Sequence, residues 1–459
     1  MGVCQDSREA APGDVFLAWR GTASDAHDFV GGAVERGAVA AVVERVVDVP
    51  VPQLVVKDGR AAAGVVAHLV MGSPSTRLFL VGVTGTNGKT TTALLLRHLL
   101  AAKGPAAAVG TLGVVEEAGV RPGTEGLTTP GPVQVARWLR ELADAGVQSV
   151  AMEASSHALE QRRLDGVRFA AGVFTNLTQD HLDYHGTLDA YRDAKALLVA
   201  LVAERGLMVV NRDDRSWDVL DPAGRAVRTF GIDTEADVRA EDVKLGPDGS
   251  RFTLVADGVR AAARLPLLGA YNVENALAAA TVALAAGLSL DDVVAALATV
   301  PQVTGRLEAV LTEPFVVLID FAHTPDALDG ALGAVKPLTR GRLIVVFGAG
   351  GDRDRTKRRP MAEAVRRHAD VVVLTSDNPR TEDPERILDD LATGLEGAEY
   401  TRFVDRREAI RHALSVAGPG DAVLLAGKGH ETYQVVGREK RPFDERAIVR
   451  EVLADLGAA

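Results

Sequence analysis

Val83-Thr84-Gly85-Thr86-Asn87-Gly88-Lys89-Thr90-Thr91-Thr92 follows an apolar run, Leu78 to Val83, and opens an apolar-periodic stretch, Ala93 to Leu100. This order reads as a buried strand, a glycine-rich turn and the start of a helix. Such a turn aims successive backbone N–H groups at one point, where the helix dipole adds partial positive charge, so a polyphosphate can rest there. Lys89 would neutralise its outer oxygens and Thr90 would reach Mg²⁺, with Gly85, Thr86, Asn87, Gly88 and Thr91 completing the cradle. A strict phosphate-loop pattern wants glycine five residues before Gly88, where Val83 stands, so the match is a variant. The plainer alternative is a turn with a stray lysine, but Gly-Lys-Thr after a buried strand is hard to obtain by accident.

On the C-terminal side of this segment, apolar runs recur at 147–152, 171–174 and 208–210, separated by helical patterns, which predicts a parallel sheet covered on both faces. A further series follows Gly305-Arg306, at 315–319, 343–347, 371–374 and 422–425. Before Ser73-Pro74-Ser75 lie short runs at 15–18, 38–43 and 53–56, with a helical pattern near 29–36. The expected fold is therefore α/β in three domains, 1–76, 77–307 and 308–459. A length of 459 residues agrees, being too long for one core.

The composition, 47% hydrophobic and 25% charged, is that of a globular protein, with only the tail Gly457-Ala458-Ala459 reading as disorder-prone. A net charge of -11 argues against nonspecific nucleic-acid binding, so an anionic substrate must be met by placed residues. The sole cysteine, Cys4, cannot form an internal disulfide, and no stretch reads as a signal peptide or membrane span. A cytoplasmic enzyme, without membrane insertion and working as a monomer, is the expectation.

Two further segments end strands: Met152-Glu153-Ala154-Ser155-Ser156-His157 and Thr175-Asn176-Leu177-Thr178-Gln179-Asp180-His181-Leu182-Asp183-Tyr184-His185. The carboxyl ends of neighbouring parallel strands share one crevice, so Glu153 and His181 are expected to meet the phosphates beside the glycine-rich turn. Singly, a glutamate or histidine after a strand is more often a cap or a surface residue; the three segments together weigh more.

With these strings the chain resembles the Mur ligase superfamily, ATP-dependent amide-bond formers of peptidoglycan synthesis, in which Val83 is normal. The likeness continues through Tyr191-Arg192-Asp193-Ala194-Lys195, Gly269-Ala270-Tyr271-Asn272-Val273-Glu274-Asn275, Gly305-Arg306-Leu307-Glu308, Asp320-Phe321-Ala322-His323-Thr324-Pro325-Asp326 and Gly427-Lys428-Gly429-His430-Glu431. The resemblance implies a small uridine-binding domain, a central phosphate-loop ATPase domain and a C-terminal Rossmann-like domain that binds the incoming amino acid. It implies that Thr90 and Glu153 hold one Mg²⁺, while Glu153, His181 and a carbamylated Lys195 hold a second. A lysine near a metal is repelled as an ammonium, and its neutral amine can take up CO₂ to become an anion; by itself, Lys195 reads as a surface helix lysine. Lys89 and Arg306 would contact the outer phosphates, Asn272 the adenine and Asp320 the ribose. Phe321 replaces the more usual tyrosine, and neither His323 nor His430 receives a catalytic role.

Ser376-Asp377-Asn378-Pro379-Arg380 resembles the motif of diaminopimelate-adding members of that family. Diaminopimelate is lysine with an extra carboxylate at its far carbon, which a guanidinium can grip through two parallel charged hydrogen bonds. Taken alone, Asn-Pro-Arg reads as a turn with a solvated arginine. Arg353, Gly427 and Glu431 match the remaining diaminopimelate contacts. Asp6-Ser7-Arg8 resembles the uridine-binding turn, with 21–24 as a neighbouring loop and an early strand shortened by the nearness of Met1. Thr128, Thr129, Ser155, Gln161 and Arg163 match contacts to the muramoyl peptide and its diphosphate, while Leu127 stands where relatives often carry an amide. The activity implied is ATP-dependent addition of diaminopimelate to UDP-N-acetylmuramoyl-L-alanyl-D-glutamate through an acyl phosphate. The rivals are a lysine-adding ligase, a folylpolyglutamate synthase and a regulatory protein that keeps the pocket without turnover.

Overall fold

The computed structural model describes residues 2–21, 24–123 and 126–456; residues 22–23 of the loop at 21–24, and the tail 457–459, lie outside them. The first sheet is parallel throughout, in the order β1 (Gly2–Cys4), β2 (Asp14–Leu17), β3 (Ala40–Val43) and β4 (Gln53–Val55). β1 is only three residues long and runs into a turn capped by Asp6, whose carboxylate accepts the Arg8 N–H at 2.9 Å.

The second sheet has eleven strands. They are β5 (Phe79–Thr84), β6 (Ala106–Gly110), β7 (Gly113–Glu116), β8 (Gly119–Arg121), β9 (Ser149–Glu153), β10 (Phe169–Phe174), β11 (Val202–Asn211), β12 (Ala226–Gly231), β13 (Val238–Gly246), β14 (Gly249–Ala256) and β15 (Val259–Leu265). Their order is 15-14-13-12-11-10-5-9-6-7-8, parallel from β13 to β6 and antiparallel at both ends. β5 is central and shows the period of two that this position requires. Val81 and Val83 join a core with the helices Lys89–Leu100 and Ala270–Ala285, whereas Leu80 joins the opposite core with Trp138, Leu139 and Phe169.

The third sheet runs β16 (Glu308–Leu311), β17 (Val316–Asp320), β21 (Ala422–Ala426), β18 (Leu343–Phe347), β19 (Val371–Thr375), β20 (Thr401–Phe403), parallel except at β16. Leu343, Val345 and Phe347 face one core and Ile344 and Val346 the other. A hairpin, β22 (Tyr433–Val436) and β23 (Glu439–Pro442), stands beside it. The carboxyl ends of β5, β9 and β10 in the second sheet and of β17, β19 and β21 in the third open onto one shared cleft.

Candidate active site

The cleft is a cavity of about 540 Å³ whose walls come from both sheets. On one side lie Thr86, Asn87, Gly88, Lys89, Thr90 and Thr91. Their turn depends on two glycines with positive φ, Gly85 at 144° and Gly88 at 85°. A Cβ on Gly85 would come within 1.8 Å of Thr175 Oγ1, and one on Gly88 within 2.3 Å of Asn275 Oδ1, so both positions also demand the missing side chain. The next strand end locks the turn: Thr86 N–H donates to Asn176 O at 2.7 Å and Asn87 N–H to Asn176 Oδ1 at 2.8 Å. Beyond them begins the helix Lys89–Leu100, whose first residues line the cavity and whose first N–H groups have no partner within the helix.

Lys89 Nζ donates to the Gly85 and Thr86 carbonyls at 2.9 and 2.8 Å. Burial pushes its pKa below the usual lysine range, against the opposing pull of Glu153 and Asp180. Glu153, at the end of β9, is 2% exposed. Its two oxygens accept the Thr111 N–H at 2.9 Å and the Thr111 hydroxyl at 3.1 Å. Arg306, just before β16, donates to Thr90 Oγ1 at 3.2 Å and stacks over the Phe321 ring at 4.7 Å. His181 has a left-handed backbone, φ 55°, and its ring lies 4.7 Å from that of His157. Burial lowers the His181 pKa although Asp180, 3.3 Å away, opposes this. Asp320 accepts the Leu307 and Ala322 N–H groups at 2.6 and 2.7 Å.

Across the cavity stand Arg353, Asp377, Asn378, Arg380, Gly427 and Glu431. Three loops meet here because the third sheet ends them side by side. Arg380 Nη1 donates to Gly351 O at 2.8 Å, and the hairpin clamps its backbone, with Arg380 N–H bound to Val435 O at 3.0 Å. Burial and the adjacent Arg353 make the Arg380 charge costly, a cost that a carboxylate would relieve. Below, the buried Arg358 pairs with Glu382 at 3.0 Å, and Glu382 accepts the Asp352 N–H at 2.6 Å, so the loop carrying Arg353 is tied to the loop carrying Arg380.

Several expected residues take other places. Lys195 is 1% exposed and is not in the cavity wall; its ammonium donates to Gly85 O at 2.7 Å, behind the phosphate turn and over the Tyr191 ring. The surface-lysine reading is therefore wrong, for the ammonium is spent on the Gly85 carbonyl inside the fold. Burial and the nearby Lys89 hold its pKa well below the usual lysine range. Asn272 is buried, donating to Leu268 O at 2.8 Å, and it is Asn275, one turn on, that faces the cavity with Tyr271 and Glu274. Burial and Asp213 push the Glu274 carboxyl up to about 7. Thr128 lines the cavity, while Thr129, Ser155, Gln161 and Arg163 form an adjoining cluster. Thr129 Oγ1 donates to Glu153 O at 2.7 Å, and Arg163 donates to Thr129 O at 3.0 Å and to Gln161 Oε1. Ser7 is farther out, on the capped turn of the first sheet. Gln5, two residues before it, reaches 3.3 Å from where a Cβ on Gly131 would stand, just past Thr128-Thr129-Pro130. Pro379 shapes the loop without lining the cavity. Thr111, His323 and Lys357 also line it.

Among the described residues no three His, Cys, Asp or Glu side chains gather as a metal cage. Mg²⁺ does not need one. It is commonly held by one or two carboxylates, waters and substrate phosphates, and the hard oxygens of Thr90 and Glu153 beside the phosphate turn fit that pattern.

Fold and site define a multidomain α/β protein in which a glycine-rich turn after a buried parallel strand shares one cavity with the loops of the third sheet. Residues 83–283 match the Mur ligase middle domain and residues 305–429 the Mur ligase glutamate ligase domain. The UDP-N-acetylmuramoyl-L-alanyl-D-glutamate–2,6-diaminopimelate ligase of Geobacillus thermodenitrificans is 44% identical over 461 residues, covering 98% of this chain and 94% of that protein. A UDP-N-acetylmuramyl-tripeptide synthetase of Roseiflexus is 43% identical over 484 residues, covering 99% and 95%. A solved UDP-N-acetylmuramoyl-L-alanyl-D-glutamate–2,6-diaminopimelate ligase superposes with a TM-score of 0.71 at 34% identity, covering 100% of this chain and 95% of that one. The folylpolyglutamate synthase of Mycobacterium tuberculosis, at 20% identity and TM-score 0.66, shares the fold over 80% of this chain. The chain belongs to the Mur ligase family.

Proposed function

We propose that this chain is an ATP-dependent ligase that joins 2,6-diaminopimelate to the D-glutamate γ-carboxylate of UDP-N-acetylmuramoyl-L-alanyl-D-glutamate, in peptidoglycan synthesis. The observation that carries this reading is the meeting of Arg353, Arg380 and Glu431 with the phosphate turn in one cavity. Such a cavity can hold a nucleotide at one end and a doubly zwitterionic amino acid at the other.

A carboxylate is anionic and resists nucleophiles, so it must first be activated. Its oxygen attacks the γ-phosphorus of ATP and ADP leaves, giving an acyl phosphate. The amine nitrogen then adds to the acyl carbon, and collapse of the tetrahedral intermediate expels phosphate. Lys89 and Arg306 offset the charge gathered between carboxylate and phosphates, with the N–H groups of 88–91 aimed at the same oxygens. Mg²⁺, held by Thr90 and Glu153, would add Lewis-acid stabilisation of the phosphoryl oxygens. Carbamylation of Lys195 would give it an anion for a second ion with Glu153 and His181; its buried, disfavoured ammonium supports a readily formed neutral amine. Asp320 and the Asn272–Asn275 turn would hold ribose and adenine. Arg380 and Arg353 would grip the far carboxylate of diaminopimelate, Glu431 an ammonium, and Asp377, Asn378, Pro379 and Gly427 would frame it. The cluster Thr128, Thr129, Ser155, Gln161 and Arg163, with Ser7 beyond it, forms a polar track for the UDP-linked peptide.

On this reading the units at 1–76, 77–307 and 308–459 bind uridine, ATP and amino acid in that order. ATP and a UDP-linked substrate are cytoplasmic metabolites, and no helix among the described residues is long and apolar enough to cross a membrane. The test is phosphate release with ATP, Mg²⁺, the UDP-dipeptide and diaminopimelate. Release only when all are present supports a ligase; release without the acceptor, or none at all, refutes it.

A further inference from the structure

Lys428 stands two residues beyond the end of β21, between Gly427 and Gly429, and none of the roles above uses it. Its side chain is wholly buried, 0% exposed. The ammonium donates to Glu431 Oε2 at 2.9 Å and to Asn378 Oδ1 at 3.1 Å, with Asp377 Oδ1 at 3.4 Å. Asn378 Nδ2 donates to the same Glu431 oxygen at 2.9 Å, and Asn378 Oδ1 also accepts the Val435 N–H at 2.9 Å. The amide therefore has one orientation: its oxygen meets two donors and its nitrogen meets a carboxylate. Glu431 Oε2 is held twice, which fixes the carboxylate where it lines the cavity.

A lysine with no exposure is expensive to bury unless its partners are placed for it. Here those partners are three residues of the proposed acceptor end, drawn from two separate loops. Burial would raise the Asp377 pKa, but Lys428, Arg406 and His323 outweigh it and hold the carboxyl below its ordinary range. Without the ammonium, Asp377 and Glu431 would face each other with less compensation, and Asn378 would lose one of the two contacts that fix its flip.

Resting on the ligase reading above, we infer that Lys428 is a positioning residue for the amino-acid acceptor. Its ammonium sets Glu431 and Asn378 in the geometry that receives the far end of diaminopimelate. ATP binds at the other wall and does not depend on it.

The experiment compares wild type, Lys428→Met and Lys428→Ala by phosphate release, with KM measured separately for diaminopimelate and ATP. Lys428→Met raises the KM for diaminopimelate at least tenfold and leaves that for ATP within twofold. Propylammonium, which replaces the missing part of the side chain, restores the diaminopimelate KM of Lys428→Ala in a concentration-dependent way. Should Lys428→Met melt below the assay temperature, Lys428→Gln, which keeps donors without the charge, is read by the same criteria. A diaminopimelate KM within twofold of wild type overturns the inference, as does a parallel rise in both KM values without rescue. A wild-type enzyme that is silent with diaminopimelate overturns the ligase reading and the inference together; wild-type turnover with an unmoved variant KM overturns the inference alone.

Discussion

Replacing Arg380 separates recognition of the acceptor from every other task of the cavity. One Arg380 nitrogen is committed to Gly351 O at 2.8 Å, which orients the guanidinium and leaves its other donors for a carboxylate. A hydrogen bond to a charged group contributes about 1.5–3 kcal/mol. Arg380→Lys keeps the charge but loses one arm of the fork, so kcat/KM for diaminopimelate should fall about 10- to 150-fold. Arg380→Ala loses both arms, about 3–6 kcal/mol, or roughly 10² to 10⁴-fold. L-lysine has no second carboxylate, and its own slow turnover should change by no more than about threefold. The backbone offers an internal control. Arg380 sits at φ 52°, where a side chain costs about 1–2 kcal/mol that glycine avoids. Arg380→Gly should therefore melt above Arg380→Ala while discriminating no better. The assay is steady-state phosphate release with each acceptor at fixed ATP and UDP-dipeptide, paired with thermal unfolding. Equal losses for diaminopimelate and lysine, or losses that follow melting temperature across the three variants, would refute the reasoning.

Thr111→Val removes the hydroxyl 3.1 Å from Glu153 Oε2 without changing shape much, so the half-saturating Mg²⁺ concentration in the phosphate-release assay should rise about tenfold, in line with roughly 1.5 kcal/mol for a bond to a charged group; an unchanged Mg²⁺ titration would show that the hydroxyl does not orient that carboxylate. Arg358→Met breaks a buried pair with Glu382 and should cost about 3–5 kcal/mol of unfolding free energy while raising the KM for diaminopimelate, because the Arg353 loop loosens; denaturant melts and acceptor kinetics read both, and a fully stable variant would contradict it. His68, 3% exposed, is held neutral by burial with a pKa lowered to about 4. Its folded value lies below the unfolded value of about 6.5, so the unfolded chain binds more protons between them, and the stability contributed is complete above the unfolded pKa and lost as pH falls toward 4. Near pH 5 the loss should be about 2 kcal/mol, and His68→Gln should flatten that part of the pH–stability curve; a slope unchanged in the variant would assign it to other groups.

The parts of this site that the sequence reveals are those where chemistry is contiguous along the chain. The phosphate turn, the strand-end residues Glu153 and His181 and the run 376–380 each combine a buried strand with the reactive residue just after it, so one local pattern yields both fold and function. Thr111 does not work that way: it follows β6, whose Ala-Ala-Ala-Val-Gly lacks β-branched alternation, and only pairing with β9 brings it to Glu153. Asn272 and Asn275 are three residues apart on one helix, and which of them faces the nucleotide depends on helix rotation against the phosphate turn. Lys195 reads by itself as a surface lysine because its burial is produced entirely by tertiary packing. The strands β13 and β15 pass unnoticed for a related reason: many of their positions are exposed, so they show no continuous apolar run. The first strand is nearly hidden by its length of three residues.

The most direct test of the central claim offers the enzyme ATP, Mg²⁺ and UDP-N-acetylmuramoyl-L-alanyl-D-glutamate with diaminopimelate and L-lysine in equal amounts, and reads the product by mass spectrometry. A product heavier by one diaminopimelate residue, formed with one ADP and one phosphate per amide bond, is the predicted result. A product carrying lysine, or one formed equally from both acceptors, would contradict the selection assigned to Arg380, and ATP consumption without any heavier product would contradict the ligase itself.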